Sequence, residues 1–176
     1  YSKDKHKAKT GLSKRLRFPI HVQVTVETMG TLLVGTDIAS ALTTLTPYPI
    51  DTVGMNCATG PKEMKQYIQY LSENANFMIS CLPNAGIPEN VGGHAHFPLG
   101  AEEFSDQLSG FAKEMRLDVV GGCCGTTYEH IKQLSEKVSG IKKQKLAETK
   151  ASAKPEDGLD NPIESVSSIY NSVPME

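Results

Sequence analysis

The chain lacks the features that mark several protein classes. Its 176 residues include no tryptophan, aromatic residues make up only 6%, and the net charge is -2, which argues against a nucleic-acid partner for the chain as a whole. No apolar run reaches the about 20 residues of a membrane span, and no secretory signal opens the chain, so we expect no membrane partner. The 39% hydrophobic content is sufficient for one globular domain.

Cysteine is also scarce, with four residues at positions 57, 81, 123 and 124. They are not spread through a small, loop-rich scaffold of the kind that disulfides stabilise. The sequence therefore favours a reduced, cytoplasmic setting. Residue 1 is Tyr rather than Met, so we expect a piece of a longer protein.

Composition divides the chain into three parts. Residues 1–17 form a basic lead-in segment, which we interpret as a solvated linker or helix end rather than a nucleic-acid arm, because no aromatic residues interleave the charges. Residues 18–142 form the predicted domain. Residues 143–176 are rich first in Lys, Ala and Glu and then in turn residues, which is typical of a linker. A weak apolar pattern at its end suggests docking on a neighbour or the approach to another domain.

Within the domain, a strand followed by a helix repeats four times. The predicted strands are Ile20–Val26, Thr52–Cys57, Phe77–Leu82 and Asp118–Gly122. Apolar residues at helical spacing predict the helices, with stripes Ile38, Leu42, Leu45; Met64, Ile68, Leu71; Phe104, Leu108, Phe111, Met115; and Ile131, Leu134, Val138, Ile141. Thr126 and Glu129 predict a capping box for the last helix. The alternation predicts an α/β fold with parallel strands, either a small doubly wound sheet or half of a (β/α)8 barrel.

Three of the cysteines follow predicted strands, where parallel α/β folds place their active sites. Cys57, Cys123 and Cys124 could form a soft-metal site, a redox pair or buried structural positions. Three thiolates around zinc leave one position open, and a thiol that entered it would lose its proton and remain nucleophilic, so the predicted chemistry is alkyl transfer to a thiol. Cys81 is predicted to lie in the core. His94 and His96 could bind metal, but the long loop that carries them is predicted to be solvated.

Four motifs resemble one enzyme family. Gly121–Ile131 resembles the signature of the zinc-dependent homocysteine S-methyltransferases, and Gly54–Pro61 is similar to their other zinc-cysteine motif. Pro83–Pro88 resembles a motif of the cobalamin-dependent members. Ser167–Pro174 resembles the segment that, in those members, links the homocysteine barrel to a folate-binding barrel. The resemblance runs from about Pro19 to Pro174 with the motifs in family order.

The resemblance implies a fold, a cofactor and a substrate. The fold would be the second half, four βα units, of a (β/α)8 TIM barrel with an extended C-terminal linker. Cys57, Cys123 and Cys124 would hold zinc, and Asn84 would lie beside the metal and fill its fourth position when homocysteine is absent, although Asn84 also suits a plain turn. The methyl donor would be methylcobalamin, bound by a domain outside this chain.

The chain also departs from the family. The N-terminal half-barrel and the folate and cobalamin domains are not in the sequence, so we expect little or no methyl transfer by this chain alone. Two alternatives stay open at this point. One is a homocysteine S-methyltransferase that uses betaine or S-methylmethionine, and the other is a zinc-binding remnant without catalysis.

Overall fold

The computed structural model describes residues 18–142 and two short strands near the C-terminus. The strands are β1 (His21–Val24), β2 (Thr52–Asn56), β3 (Met78–Leu82), β4 (Glu89–Val91), β5 (His94–His96), β6 (Val119–Val120), β7 (Ser165–Ser167) and β8 (Ser172–Pro174). The helices are α1 (Ile38–Leu45), α2 (Pro61–Asn74), α3 (Ala101–Glu114) and α4 (Tyr128–Val138). None of these helices has the length and apolar character needed to cross a membrane.

The central sheet is parallel, with strand order β1-β2-β3-β6. In its register, Val53 on β2 lies between Val22 on β1 and Ile79 on β3. A helix follows each of the four strands of this sheet and precedes the sheet's next strand where there is one. This alternation confirms the predicted α/β class. The last strand is shorter than predicted, since only Val119–Val120 pairs with β3.

One face of the sheet carries the hydrophobic core. Alternate residues of the two central strands, such as Val53, Met55 and Ile79, are almost completely buried against the helices. The helices contribute their predicted stripes to this core, led by Met64, Ile68, Leu71, Phe104, Leu108 and Phe111. The prediction was wrong for Ile131 on α4, which is 41% exposed, whereas Leu134 on the same helix is buried.

The opposite face of the sheet is polar at its centre. His21 Nε2 lies 2.7 Å from Ser80 Oγ, and Gln23 donates to the same oxygen through Nε2. Between these side chains runs Gly54, whose register partners are Gln23 on one side and Ser80 on the other. The two faces of the sheet therefore differ in character, one apolar and covered by helices, the other polar.

The start of α4 corrects the predicted capping box. The N-cap is Thr127 rather than Thr126, and His130 occupies the position that Glu129 was expected to fill. His130 Nδ1 accepts the Thr127 N–H at 3.2 Å, which leaves Nε2 to donate to the Leu99 carbonyl at 2.9 Å. Through these two bonds, the buried His130 side chain joins the start of α4 to the loop that precedes α3. Glu129 instead points outward and accepts a hydrogen bond from Gln133.

Two hairpins lie where the sequence predicts only loop and linker. In the long loop after β3, β4 and β5 pair antiparallel, and positive φ angles at Gly92 and Gly93 form their tight turn. All six strand residues are exposed, as expected for a solvated loop. Near the C-terminus, β7 and β8 form a second hairpin, and β7 lies against α1. The rest of the predicted linker and the basic segment 1–17 lie outside the described residues.

We predict opposite effects for two glycine substitutions. A Cβ at Gly54 would lie 1.9 Å from Ser80 Oγ and 2.2 Å from the Ser80 carbonyl oxygen, so Gly54→Ala should lower the free energy of unfolding by about 3 kcal/mol. A Cβ at Gly110, inside α3, meets nothing within 4 Å, so Gly110→Ala should raise it by about 1 kcal/mol. Urea unfolding of the full chain measures both. Equal stability of the two variants would show that β2 and β3 do not approach this closely.

Candidate metal centre

Three thiols from two loops meet at the carboxyl ends of the strands. Cys57 follows β2, and Cys123 and Cys124 follow β6. The Cys57 and Cys124 sulfurs are 3.7 Å apart although the residues are 67 positions apart in sequence, and the Cys123 and Cys124 sulfurs are 4.0 Å apart. All three sulfurs lie within 4.8 Å of one another. In the part of the chain that the structure describes, no other group of three or more His, Cys, Asp or Glu side chains converges this way.

The spacing of the sulfurs suits a four-coordinate soft metal ion. Zinc–sulfur bonds of about 2.3 Å in a tetrahedron place neighbouring sulfurs about 3.8 Å apart. The measured 3.7 and 4.0 Å separations lie on either side of that value. The thiols are free rather than joined as disulfides, and Cys124 is exposed while Cys57 and Cys123 are half-buried. The donor set therefore fits zinc, and it is open to an incoming ligand on the solvent side.

The segment 82–85, which continues β3, holds the loop of Cys57 in place. The Cys57 N–H donates to the Leu82 carbonyl at 3.2 Å. Two residues later, the Asn84 N–H donates to the Thr59 carbonyl at 3.0 Å. The cysteine loop after β2 is therefore attached to the end of the neighbouring strand on both sides of its turn.

The same segment also holds the second cysteine loop. The Cys123 N–H donates to the Pro83 carbonyl at 2.8 Å, and the Ala85 N–H donates to the Cys124 carbonyl at 2.9 Å. Asn84 adds a side-chain bond, because its Oδ1 accepts the Cys124 N–H at 3.0 Å. Segment 82–85 thus bonds to both cysteine loops. We call this segment the clamp.

Asn84 is the residue of the clamp that the sequence singles out. It is only 4% exposed, and its side-chain oxygen is already bonded to the backbone of one of the cysteines. This arrangement places Asn84 beside the thiols and gives it a structural role that the sequence did not indicate. Its role as a fourth metal ligand stays a prediction.

The backbone at Cys57 adopts an uncommon conformation. Both Cys57 and Ala58 have φ angles of 58°, in the left-handed region that non-glycine residues rarely occupy. The turn is closed by the Thr59 N–H, which donates to the Cys57 carbonyl at 2.7 Å. Such strain persists where surrounding bonds fix it, and it is concentrated at functional sites. The residue types at positions 57 and 58 do not predict these positive φ angles.

The long loop is packed against the second cysteine loop through Phe97. Gly125 follows the cysteine pair with a φ of 76°, and a Cβ there would lie 2.3 Å from the Phe97 ring. Only glycine allows this approach. Thr126 further braces the turn, since its hydroxyl donates to the Cys123 carbonyl at 2.7 Å. Gly125 belongs to a motif that the sequence identifies, but the sequence does not predict its contact with Phe97.

The pKa values of the Cys57 and Cys123 thiols are shifted in opposite directions. The hydrogen bond with Cys123, followed by burial and the hydrogen bond with Cys124, raises the pKa of the Cys57 thiol to about 12. For Cys123, burial alone raises the pKa, but hydrogen bonds from Cys57, Cys124 and Asn56 outweigh it, so the net direction is downward. Hydrogen bonding within the cluster therefore favours the thiolate of Cys123 over that of Cys57. The sequence did not single out Asn56.

The remaining candidate ligands lie elsewhere. Cys81 is completely buried in the core, where loss of hydration raises the pKa of its thiol to about 12. It is the structural cysteine that the sequence predicted. His94 and His96 lie on the exposed strand β5 and are not members of the thiol cluster.

Known proteins resemble this chain in the same region. The family model for homocysteine S-methyltransferase matches residues 2–138. A methionine synthase of Mycobacterium tuberculosis (strain ATCC 25618 / H37Rv) is 42% identical over 157 residues, which are 89% of this chain and 12% of that protein. A methionine synthase of Mycobacterium leprae (strain TN) is 45% identical over 121 residues, which are 69% of this chain and 10% of that protein. The chain thus spans about a tenth of the length of these curated relatives.

We predict that the Asn84 side chain stabilises the fold through Cys124. Asn84→Leu leaves the Cys124 N–H without its side-chain acceptor and should lower the free energy of unfolding by about 1–3 kcal/mol. Asn90→Leu is the matched control, because Asn90 Oδ1 also accepts a backbone N–H, from Gly93 at 2.9 Å, but on the exposed hairpin. Urea unfolding should show a much smaller loss for the control. If the two variants lose equal stability, the Asn84 side chain does not stabilise the fold through Cys124.

Proposed function

The chain belongs to the homocysteine S-methyltransferase family, and from this premise we propose that it is the part of a methionine synthase that activates the thiol of homocysteine. The observation that carries the proposal is the convergence of three thiols from two distant loops, at separations that suit one tetrahedral ion. The motifs around these thiols are those by which the sequence resembles the family. The reaction class is methyl transfer to sulfur, with methionine as product.

Zinc is the proposed resident ion, held by Cys57, Cys123 and Cys124. When bound, zinc would lower the pKa of an entering thiol and hold it as the nucleophilic thiolate. The residues of the chain provide the rest of the arrangement. The clamp fixes both cysteine loops, and the exposed side of Cys124 leaves room for the homocysteine sulfur to approach.

The proposed donor is methylcobalamin, carried by a domain outside this sequence. Methylcobalamin would supply the methyl group, and the homocysteine thiolate, held beside Cys57, Cys123 and Cys124, would accept it to give methionine. The resemblance of the motif at Pro83–Pro88 and of the tail at Ser167–Pro174 to cobalamin-dependent members supports this donor over betaine or S-methylmethionine.

For the fold, we propose that the four parallel strands are the second half of a (β/α)8 barrel. A barrel needs one face covered by helices and one face turned inward, and the sheet has an apolar, covered face and a polar one. The missing half-barrel and the folate- and cobalamin-binding domains are the proposed partners. The chain's small share of the relatives' length leaves ample room for them. Free, metal-binding thiols fit the reducing cytoplasm.

We predict one zinc ion per chain, dependent on Cys57. Cys57→Ser removes one of the three sulfurs and should lower the zinc content of the purified full chain several-fold. Cys81→Ala is the matched control, since this buried cysteine lies outside the cluster, and it should retain full zinc content. Metal analysis after dialysis measures both variants. Zinc content that is unaffected by Cys57→Ser would refute the three-thiolate site.

We also predict that the isolated chain forms no methionine above background from homocysteine and methylcobalamin. The reason is that the missing N-terminal half-barrel and the donor-binding domain must place the two reactants within reach of each other. Addition of the missing half-barrel together with the donor-binding domain should restore turnover. Measurable turnover by the chain alone would contradict this prediction, and continued inactivity after addition would favour a zinc-binding remnant without catalysis.

A further inference from the structure

Asn56, the last residue of β2, reaches across to the other cysteine loop. Its side-chain nitrogen, Nδ2, lies 4.0 Å from the sulfur of Cys123, 67 residues further along the chain. Its side-chain oxygen accepts a hydrogen bond from the Thr25 hydroxyl at 3.4 Å. Thr25 comes directly after β1. A relay of two contacts therefore runs from the end of β1, through the end of β2, to one of the three sulfurs.

The Thr25 hydroxyl and the Cys123 sulfur lie at opposite ends of the Asn56 amide. An amide has an accepting oxygen and a donating nitrogen, and the two ends are interchangeable by rotation. Since the Thr25 hydroxyl donates to Oδ1, the nitrogen is directed at Cys123. The opposite orientation would bring the lone pairs of the amide oxygen against the lone pairs of the sulfur.

Cys123 is also distinguished from the other two sulfurs. Among the hydrogen bonds of the described residues, the contacts of the Cys57 and Cys124 sulfurs are with other cysteine sulfurs. Cys123 has these neighbours and the amide as well. Donors outside the ligand set orient metal ligands, and hydrogen bonds to sulfur change how much charge the sulfur gives to the metal.

We propose that Asn56, oriented by Thr25, is a positioning residue for Cys123, fixing the direction of that sulfur and withdrawing charge from it when a metal is bound. The inference rests on the proposed three-thiolate site. Such a site has one more negative charge than its ion balances, so a donor directed at one sulfur stabilises the loaded state. Cys123 then becomes the weakest electron donor of the three.

Cobalt(II) titrated into the full chain in place of zinc provides a direct measurement, because its thiolate-to-metal absorption reports the charge on the sulfurs. Asn56→Leu removes the donor while keeping a side chain of similar size. The absorption band should move to longer wavelength, and cobalt affinity should fall about tenfold. Thr25→Val removes only the orienting hydroxyl and should shift both quantities in the same direction by less. Gln69→Leu is the control, since Gln69 donates to Glu73 on the exposed face of α2, and it should change neither.

The outcomes separate this inference from the proposed function. If the wild-type chain binds no cobalt and no zinc, the metal site fails and the inference fails with it. If the wild type binds metal but Asn56→Leu, folded by circular dichroism, keeps both the band and the affinity, only the role of Asn56 is overturned. If Asn56→Leu does not fold, Thr25→Val decides the matter, and wild-type behaviour of that variant overturns the relay.

Discussion

The thiol cluster depends on the hydrogen bonds between the clamp, residues 82–85, and the two cysteine loops. In the sheet, β3 lies between β2 and β6. The loops that follow β2 and β6 therefore come from strands that do not pair with each other. The extension of β3 fills the gap and bonds to Cys57 on one side and to Cys123 and Cys124 on the other. Sulfurs that would otherwise move independently are thereby held at metal-binding separation before any metal arrives.

This arrangement would lower the cost of binding the proposed metal ion in two ways. The loops need little further ordering when an ion enters, because their backbone groups are already bonded to the clamp. Hydrogen bonding within the cluster also favours the thiolate of Cys123 over that of Cys57 before an ion arrives. Cys123 would therefore be the easier first ligand for an ion, and the other thiols would lose their protons as they bind.

How far the sequence predicts this molecule depends on the range of the contacts involved. Strand–helix alternation predicts a parallel sheet, and parallel strands bring Cys57 to the same edge as Cys123 and Cys124. The residues that the sequence did not identify act through partners far along the chain. Asn56 contacts a sulfur 67 residues away, and His130 bonds to a carbonyl 31 residues before it. Neither residue belongs to a recognisable motif within its own segment, so the local sequence pattern does not predict its role.

The same geometry makes the site sensitive to the sheet beneath it. A slip of β3 by two residues would keep its apolar side chains on the covered face, but it would move the clamp by about 6.6 Å along the strand. Asn84 would then miss the Cys124 N–H, and the two loops would lose their common support. Gly54 opposes such a slip, because only a residue without a side chain fits against Ser80 at that position. Both the close contact of Gly54 with Ser80 and the position of the thiols at the edge of the sheet therefore depend on the register of β2 against β3.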